Sequence, residues 1–450
     1  MRVDHRAWSR SLLAWFISQN PLRVVVLGYF SYVVVGWLAL CLPWSRESAA
    51  GSWLDHLFTA VSAMSTTGLA TVSTSDTYSW LGEAIVLALV QLGGLGYMTL
   101  GSFVVLTAAG SLSPFRRRIT RTAIALPGDA EHATFIRLTV YYTLLVESIG
   151  AWLLHPHFAA HGAEHPWWQA IFHSVSAFCT AGFGLYNNSM ENFRADTGIN
   201  AILIVLSYLG AIGFIVVHDV WLSLRHRRPH VTLTTKIILL GTTWIAVAGT
   251  LLLAFDEPSL RALPAGERWL AAIFQVMSAG TTVGFNTVPI GALSASSLFL
   301  LTLVMMIGAS PAGTGGGIKI TTVTALWAEM MAVLRGREMP VFMKREIPHQ
   351  RIRAATAHMM FYCLILAVGL YLMSLFETAA LADQLFECAS ALGTVGLSRG
   401  ITGALTDAGK LILIALMFLG RVGPLALAMA LLPRPANEPD PDLPEEDVTL

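Results

Sequence analysis

Over most of this chain, apolar residues do not alternate with polar ones at a strand or amphipathic-helix period; they come in long runs separated by short polar stretches. Runs such as Leu22 to Leu42, Asn200 to Val220 and Ala355 to Phe376 reach the roughly 20 residues a helix needs to cross a bilayer. A single run of this kind fits a buried core helix, but eight in 450 residues do not. The runs are also paired. Leading runs at about 22–43, 134–155, 234–255 and 355–376 are followed by trailing runs at about 81–107, 200–224, 297–334 and 410–431.

Each pair encloses a segment too short to cross twice, and the four segments align without gaps. They read FTAVSAMSTTGL (Phe58 to Leu69), FHSVSAFCTAGF (Phe172 to Phe183), FQVMSAGTTVGF (Phe274 to Phe285) and FECASALGTVGL (Phe386 to Leu397). Phe, Ser-Ala, Thr and Gly recur at fixed places. The glycines Gly68, Gly182, Gly284 and Gly396 are 114, 102 and 112 residues apart, so the repeat is about a quarter of the chain. A second landmark follows in the trailing runs: LGGLG at Leu92, LGAIG at Leu209, IGASP at Ile307 and LGRVG at Leu419. Its first glycine lies 25, 28, 24 and 24 residues after the motif glycine. By itself, glycine in an apolar helix reads as close helix packing, the role expected at these positions.

Composition agrees with a membrane class: 55% of residues are hydrophobic, only 12% are charged, and mean hydropathy is +0.62. The 28 basic and 28 acidic side chains cancel, which gives no reason to expect a nucleic-acid partner. Their placement is more informative. Arg116, Arg117, Arg118 and Arg121 lie between units one and two, Arg225 to Arg228 between two and three, and Arg335, Arg337, Lys344, Arg345, Arg351 and Arg353 between three and four. The opposite side carries only one or two basic residues per loop, such as Arg46, Arg194, Arg261 and Arg268. The positive-inside rule then predicts eight spans, cytoplasmic termini and four re-entrant segments entering from outside. The four cysteines show no metal-like spacing and read as apolar fillers.

In hydrocarbon, non-helical backbone needs a protein or water-filled shelter, so four Thr-X-Gly stretches after four short helices predict a shared polar cavity on a quasi-fourfold axis. Carbonyls from Thr66, Thr67 and Gly68, from Thr180, Ala181 and Gly182, from Thr282, Val283 and Gly284, and from Thr394, Val395 and Gly396 would surround a dehydrated cation there. Each threonine either adds a hydroxyl oxygen or fastens its loop.

The third trailing run is interrupted by Gly308, Ala309, Ser310, Pro311, Ala312, Gly313, Thr314, Gly315, Gly316 and Gly317 before helix-like sequence resumes at Ile318. Proline and clustered glycine forbid a regular helix, and an interruption in the membrane should face the cavity, where by itself it reads as a static kink that widens the space. Arg421 is costly if it meets lipid. Its guanidinium would repel cations from the pore side, hydrogen-bond carbonyls of the interrupting segment, or snorkel to the interface. Lys319 either makes similar loop contacts or marks the membrane-proximal end. Glu147, inside the second leading run, has no nameable partner. GTGGG lacks the Gly-Lys-Ser/Thr of a phosphate-binding loop, and no catalytic constellation is present, so the chain does not read as an enzyme.

The four motifs, the LG landmarks and above all MMIGASPAGTGGGIKITT at Met305 to Thr322 resemble the bacterial Trk/Ktr potassium transporter superfamily over about residues 22 to 431. The length is most similar to that of the Ktr-type ion-translocating membrane subunit; the related Trk subunit has two further N-terminal spans. The resemblance implies an all-α polytopic membrane fold, potassium-channel-like, with four tandem helix, pore loop, helix repeats around a pseudo-fourfold pore. It implies potassium uptake across the bacterial inner membrane, with filter roles for the four motif glycines. It makes 308–318 an intramembrane gating loop, with Arg421 below the filter facing it. It further implies a homodimer and a cytosolic RCK-type nucleotide-binding regulatory ring that carries the nucleotide, with no cofactor bound covalently. Sodium, as activator, co-ion or transported ion, and a non-conducting scaffold or sensor are the alternatives. The expected organisation is a cytoplasmic segment at 1–21, repeats at 22–110, 111–230, 231–345 and 346–432, and a disordered acidic tail at 433–450.

Overall fold

A computed structural model describes residues 21–48, 51–108, 132–225, 231–311 and 313–423. The N-terminal lead-in up to residue 20, Arg116, Arg117, Arg118, Arg121, Arg227, Arg228, Ala312 and the acidic tail lie outside the described residues.

Among the described residues the fold is helical apart from one hairpin of two-residue strands, β1 (Val341–Phe342) and β2 (Arg345–Glu346). Its longer helices repeat in threes. The leading helices are α1 (Pro21–Leu40), α4 (His132–Ala160), α8 (Leu233–Asp256) and α12 (His349–Phe376). Short helices follow: α2 (Trp53–Met64), α5 (Pro166–Phe178), α9 (Ala265–Thr281) and α13 (Leu381–Gly393). The trailing elements are α3 (Trp80–Ala108), α6 (Thr197–Ala211) with α7 (Phe214–Leu224), α10 (Ala295–Met306) with α11 (Ile320–Leu334), and α14 (Asp407–Val422).

Among the described residues α8 and α12 are long and apolar enough to cross a bilayer unbroken. On α12, Leu364, Val368, Tyr371 and Leu375 recur at helical spacing and are all exposed, the outward apolar face that lipid rather than water tolerates. The interior carries much of the polarity, including buried Thr66, Thr180, Thr282 and Thr394.

The trailing runs are not the uninterrupted spans their hydropathy suggests. Gly96 is left-handed (φ 101°) and kinks α3; Gly213 (φ 86°) separates α6 from α7 at a 92° bend; Gly423 (φ 87°) ends α14. All three are the last glycine of the landmark. A left-handed backbone is nearly free only for glycine, so this position breaks the helix in each of those repeats. The first landmark glycine does pack closely. A Cβ on Gly93, Gly210 or Gly420 would collide with the last carbonyls of a short helix, those of Met64, Phe178 and Leu392.

The leading phenylalanine of every motif, Phe58, Phe172, Phe274 and Phe386, is buried and anchors its short helix in the core. Each short helix also packs on the trailing helix of the preceding repeat: α5 on α3, α9 on α6, α13 on α10 and α2 on α14. That pattern closes on itself, which only a ring of four repeats can do. The Lys410 ammonium, 2.8 Å from the Asp55 carboxylate, ties α14 to α2 across the junction where the first and last repeats meet.

Clamps join the end of a leading helix to the start of its trailing helix. Glu257, beyond α8, accepts from the Ser294 amide at the start of α10 at 2.9 Å and from the Ser259 hydroxyl at 2.7 Å. Glu377, beyond α12, accepts from the amide and hydroxyl of Thr406 at the start of α14. Burial opposes ionisation of Glu257, but hydrogen bonds from Ser259, Ser294 and Ser297 outweigh it and hold the carboxyl down to about 2. Since the folded value is below the ordinary one, the stabilisation is fully present above about pH 4.5 and is lost as pH falls toward 2. Glu257→Gln is therefore expected to destabilise the protein by about 1–3 kcal/mol at pH 7, with the gap to the parent narrowing in melts recorded from pH 5 downward.

Candidate functional site

Each short helix points its C-terminus at the centre of the ring, and the chain leaves it through the same four-residue turn. The threonine amide reaches the alanine carbonyl of Ser-Ala: Thr66 to Ala63, Thr180 to Ala177, Thr282 to Ala279 and Thr394 to Ala391, at 3.0 to 3.3 Å. The next amide reaches the serine carbonyl: Thr67 to Ser62, Ala181 to Ser176, Val283 to Ser278 and Val395 to Ser390, at 2.8 to 3.0 Å. Thr66, Thr180, Thr282 and Thr394 are all left-handed, with φ of 52°, 52°, 59° and 48°. The glycines that follow two places later have φ of 93°, 66°, 82° and 95°, while the φ of the residue between is not positive. Alternating the sign of φ along a loop allows successive peptide dipoles to face the same side. Left-handed threonine is uncommon and costs about 1–3 kcal/mol, and here the same strain appears four times.

The loops meet in a closed ring. A Cβ on Gly68 would collide with the Ala181 carbonyl oxygen, one on Gly182 with that of Val283, one on Gly284 with that of Val395, and one on Gly396 with that of Thr67. Each glycine is thus required twice, for its conformation and for the space its neighbour's carbonyl takes. On one side the ring opens into a cavity of about 430 Å³ lined by all four glycines and by Asp76, Asn187 and Asn286. Asp76 is exposed there; the Asn187 amide, donating at 2.9 Å, holds its carboxyl below the usual range. The carboxyl-terminal ends of four helices face the ring, a potential that favours a cation.

On the other side lies the segment between α10 and α11. Its amides fill carbonyls that α6 leaves orphaned where it breaks: Thr314 donates to Gly210 and Ser310 to Ala211, both at 3.1 Å. It also touches the ring. The Thr180 hydroxyl donates to the Thr314 hydroxyl at 3.2 Å, the Gly316 amide donates to the Thr282 hydroxyl at 3.1 Å, and a Cβ on Gly316 would strike the Thr394 hydroxyl. Threonines of three repeats therefore rest on this loop. Two basic side chains hold it from below. Lys319 donates to the carbonyls of Gly315 (2.7 Å) and Gly316 (3.2 Å). Arg421, on α14, donates to the carbonyls of Thr314 and Gly93 and so bridges the loop to the first landmark glycine of repeat one. Of the placements open to these residues in the sequence, Lys319 takes the loop-contact one and Arg421 the carbonyl-bonded one.

Glu147 lies away from the ring axis, buried on α4, where the Cys179 thiol donates to it at 3.5 Å. Cys179 immediately precedes Thr180, so the carboxyl group backs the second loop from behind. Motif serines have a role beyond packing. Ser62 accepts from the Gly68 amide at 3.1 Å and Ser390 from the Gly396 amide at 3.0 Å, while Ser278 donates to the Phe285 carbonyl at 2.6 Å. Their recurrence in all four motifs was the available signal. Among the described residues no cluster of three or more His, Cys, Asp or Glu has a metal-binding arrangement. The ring offers oxygen from backbone instead.

Known proteins resemble this chain over most of its length. The family described as TrkH, cation transport protein, matches residues 30–439. The Ktr system potassium uptake protein B of Bacillus subtilis is 32% identical over 424 residues, spanning 93% of this chain and 94% of that protein. The potassium/sodium uptake protein NtpJ of Enterococcus hirae is 31% identical over 448 residues, spanning 96% and 97%. In fold the chain is similar to the crystal structure of the potassium transporter TrkH from Vibrio parahaemolyticus, with a TM-score of 0.73 at 22% identity, covering 92% of this chain and 85% of that one.

Proposed function

Because this chain belongs to the TrkH family of cation transport proteins, we propose that it takes up potassium through the axis of its ring, with the four Thr-X-Gly loops as selectivity filter. The observation that carries this reading is the closed circle of glycines and carbonyls, repeated with one backbone geometry in four non-identical sequences. Backbone oxygens on a shared axis replace the water a cation sheds, and no ion charge needs to be matched by a side chain. Relatives named as potassium uptake proteins over nearly the whole chain support the choice of ion.

The 308–317 loop is the gate. It lies directly beneath the ring, holds threonines of three repeats, and is latched by Lys319 and Arg421. An ion leaving the filter inward has to displace it. Control from the cytosol fits this placement, because α11 runs on from the loop into the basic segment at 335–353, where a partner can pull on it. In this reading the chain works as a homodimer in the inner membrane with both termini inside, and a nucleotide-binding ring is the regulatory partner. Uptake follows the electrochemical gradient, with inside-negative potential contributing about 2.3 kcal/mol per 100 mV.

The similarity to a potassium/sodium uptake protein favours one second reading, in which sodium is a co-ion or activator. Growth of potassium-uptake-deficient cells on limiting potassium, with and without sodium, separates the two. Rescue that is independent of sodium is the expected outcome; rescue only with sodium supports the coupled mechanism, and failure to rescue by well-expressed protein contradicts both.

A further inference from the structure

The residue after the leading phenylalanine differs in each motif: Thr59, His173, Gln275 and Glu387. All four are polar and none is more than 1% exposed. Polar groups buried this deeply are ordinarily hydrogen-bonded, and leaving one unpaired costs about 1–3 kcal/mol. Two of the four use their bonds on the same target, the backbone three residues beyond the ring glycine.

In repeat two the Leu185 amide donates to Nε2 of His173 at 3.4 Å, while Nδ1 lies 2.8 Å from the Gln169 carbonyl. Nε2 is therefore the accepting nitrogen and Nδ1 carries the proton. In repeat four the Arg399 amide donates to Oε1 of Glu387 at 3.0 Å; the Ser398 hydroxyl donates to the same oxygen at 2.6 Å, and the Thr402 hydroxyl donates to Oε2 at 2.8 Å. Leu185 and Arg399 stand at the same place in their repeats, three past Gly182 and Gly396. The other two repeats lack this bond. The Thr59 hydroxyl donates to the Asp55 carbonyl of its own helix at 2.9 Å, and neither amide atom of Gln275 has a partner among the described residues.

The ring runs in the order one, two, three, four, so repeats two and four face each other across the axis. We propose that His173 and Glu387 are positioning residues, a diagonal pair of braces that fix the outgoing backbone of two opposed loops and thereby hold the ring at the diameter that favours the larger alkali ion. The proposal rests on the reading of the ring as a potassium path. Sodium has to draw carbonyls inward to be dehydrated at equal cost; a loop pinned three residues from its glycine resists that movement, and an unpinned one yields.

The test is potassium and sodium flux through the purified full-length protein in lipid vesicles. His173→Ala and Glu387→Ala are each expected to lower the potassium-over-sodium ratio about fivefold, the effect of roughly 1 kcal/mol. His173→Gln, whose side-chain oxygen can accept from the same amide, is expected to restore most of the ratio, and Gln275→Leu, which has no bond to lose, to keep it. Should an alanine variant fail to assemble, Glu387→Leu, which fills the site without an acceptor for the Arg399 amide, takes its place and is expected to lower the ratio about threefold. Parent-like ratios in assembled His173→Ala and in the assembled Glu387 variant, or an equal loss in Gln275→Leu, would overturn the braces. A parent protein without potassium preference would instead contradict the reading of the ring.

Discussion

Gly284→Ser is expected to lower the potassium-over-sodium flux ratio by about tenfold or more, the change that roughly 1.4 kcal/mol of lost discrimination produces. Two physical effects act together. The backbone at this position is left-handed (φ 82°), which costs a residue with a Cβ about 1–2 kcal/mol. The added Cβ also collides with the Val395 carbonyl oxygen and stands 2.9 Å from the Gly396 Cα, so the neighbouring loop has to shift. The displaced atom is one of the oxygens proposed to bind the ion. Assembly should survive, because α9 is anchored by buried Phe274 and Val276 rather than by the ring. Flux through reconstituted, monodisperse protein is the readout. An unchanged ratio there contradicts the filter assignment.

Arg421→Gln is expected to raise flux in the absence of any regulatory partner by about tenfold. The guanidinium makes two charge-assisted hydrogen bonds, to the carbonyls of Thr314 and Gly93, each worth about 1.5–3 kcal/mol. Removing them leaves Lys319, the amides of Ser310, Thr314 and Gly316, and the Thr314 hydroxyl to hold the loop beneath the ring. A second explanation for faster flux is relief of charge repulsion, and Arg421→Lys separates the two. Lysine keeps the charge but loses the planar fork that spans two carbonyls. A latch predicts fast flux in both variants; repulsion predicts it only in glutamine. Unchanged flux in both contradicts the latch.

The quasi-fourfold plan was legible because its cause is local. Left-handed backbone next to a neighbour's carbonyl admits only glycine, so Gly68, Gly182, Gly284 and Gly396 recur wherever the loop recurs. The interruption at 308–317 was equally visible, since proline and clustered glycine in an apolar run forbid a regular helix. What remained hidden depended on distance or on conformation. Hydropathy does not sense φ, so Gly96, Gly213 and Gly423 looked like packing glycines although they break helices. The part played by Ser62 and Ser390 was hidden, because the amides they hold come back to them six residues later. The Gly93 partner of Arg421 lies 328 residues away, and no local pattern points to it. His173 and Glu387 went unnoticed for the opposite reason: a shared task is carried by unlike side chains, so no motif forms.

The four copies are thus equal at the ring and unequal everywhere around it. Repeat three supplies the loop, repeat four the arginine that holds it, and repeats two and four the bonds behind the outgoing backbone. On the proposed reading, that asymmetry combines one fixed filter with one movable gate in a single chain.

The central claim is that the ring conducts and selects by backbone oxygens, and it is tested most directly by comparing potassium with sodium flux through the purified chain in lipid vesicles under equal gradients. Potassium flux at least about tenfold above sodium flux is the predicted result; equal fluxes of the two ions through correctly assembled protein would contradict it.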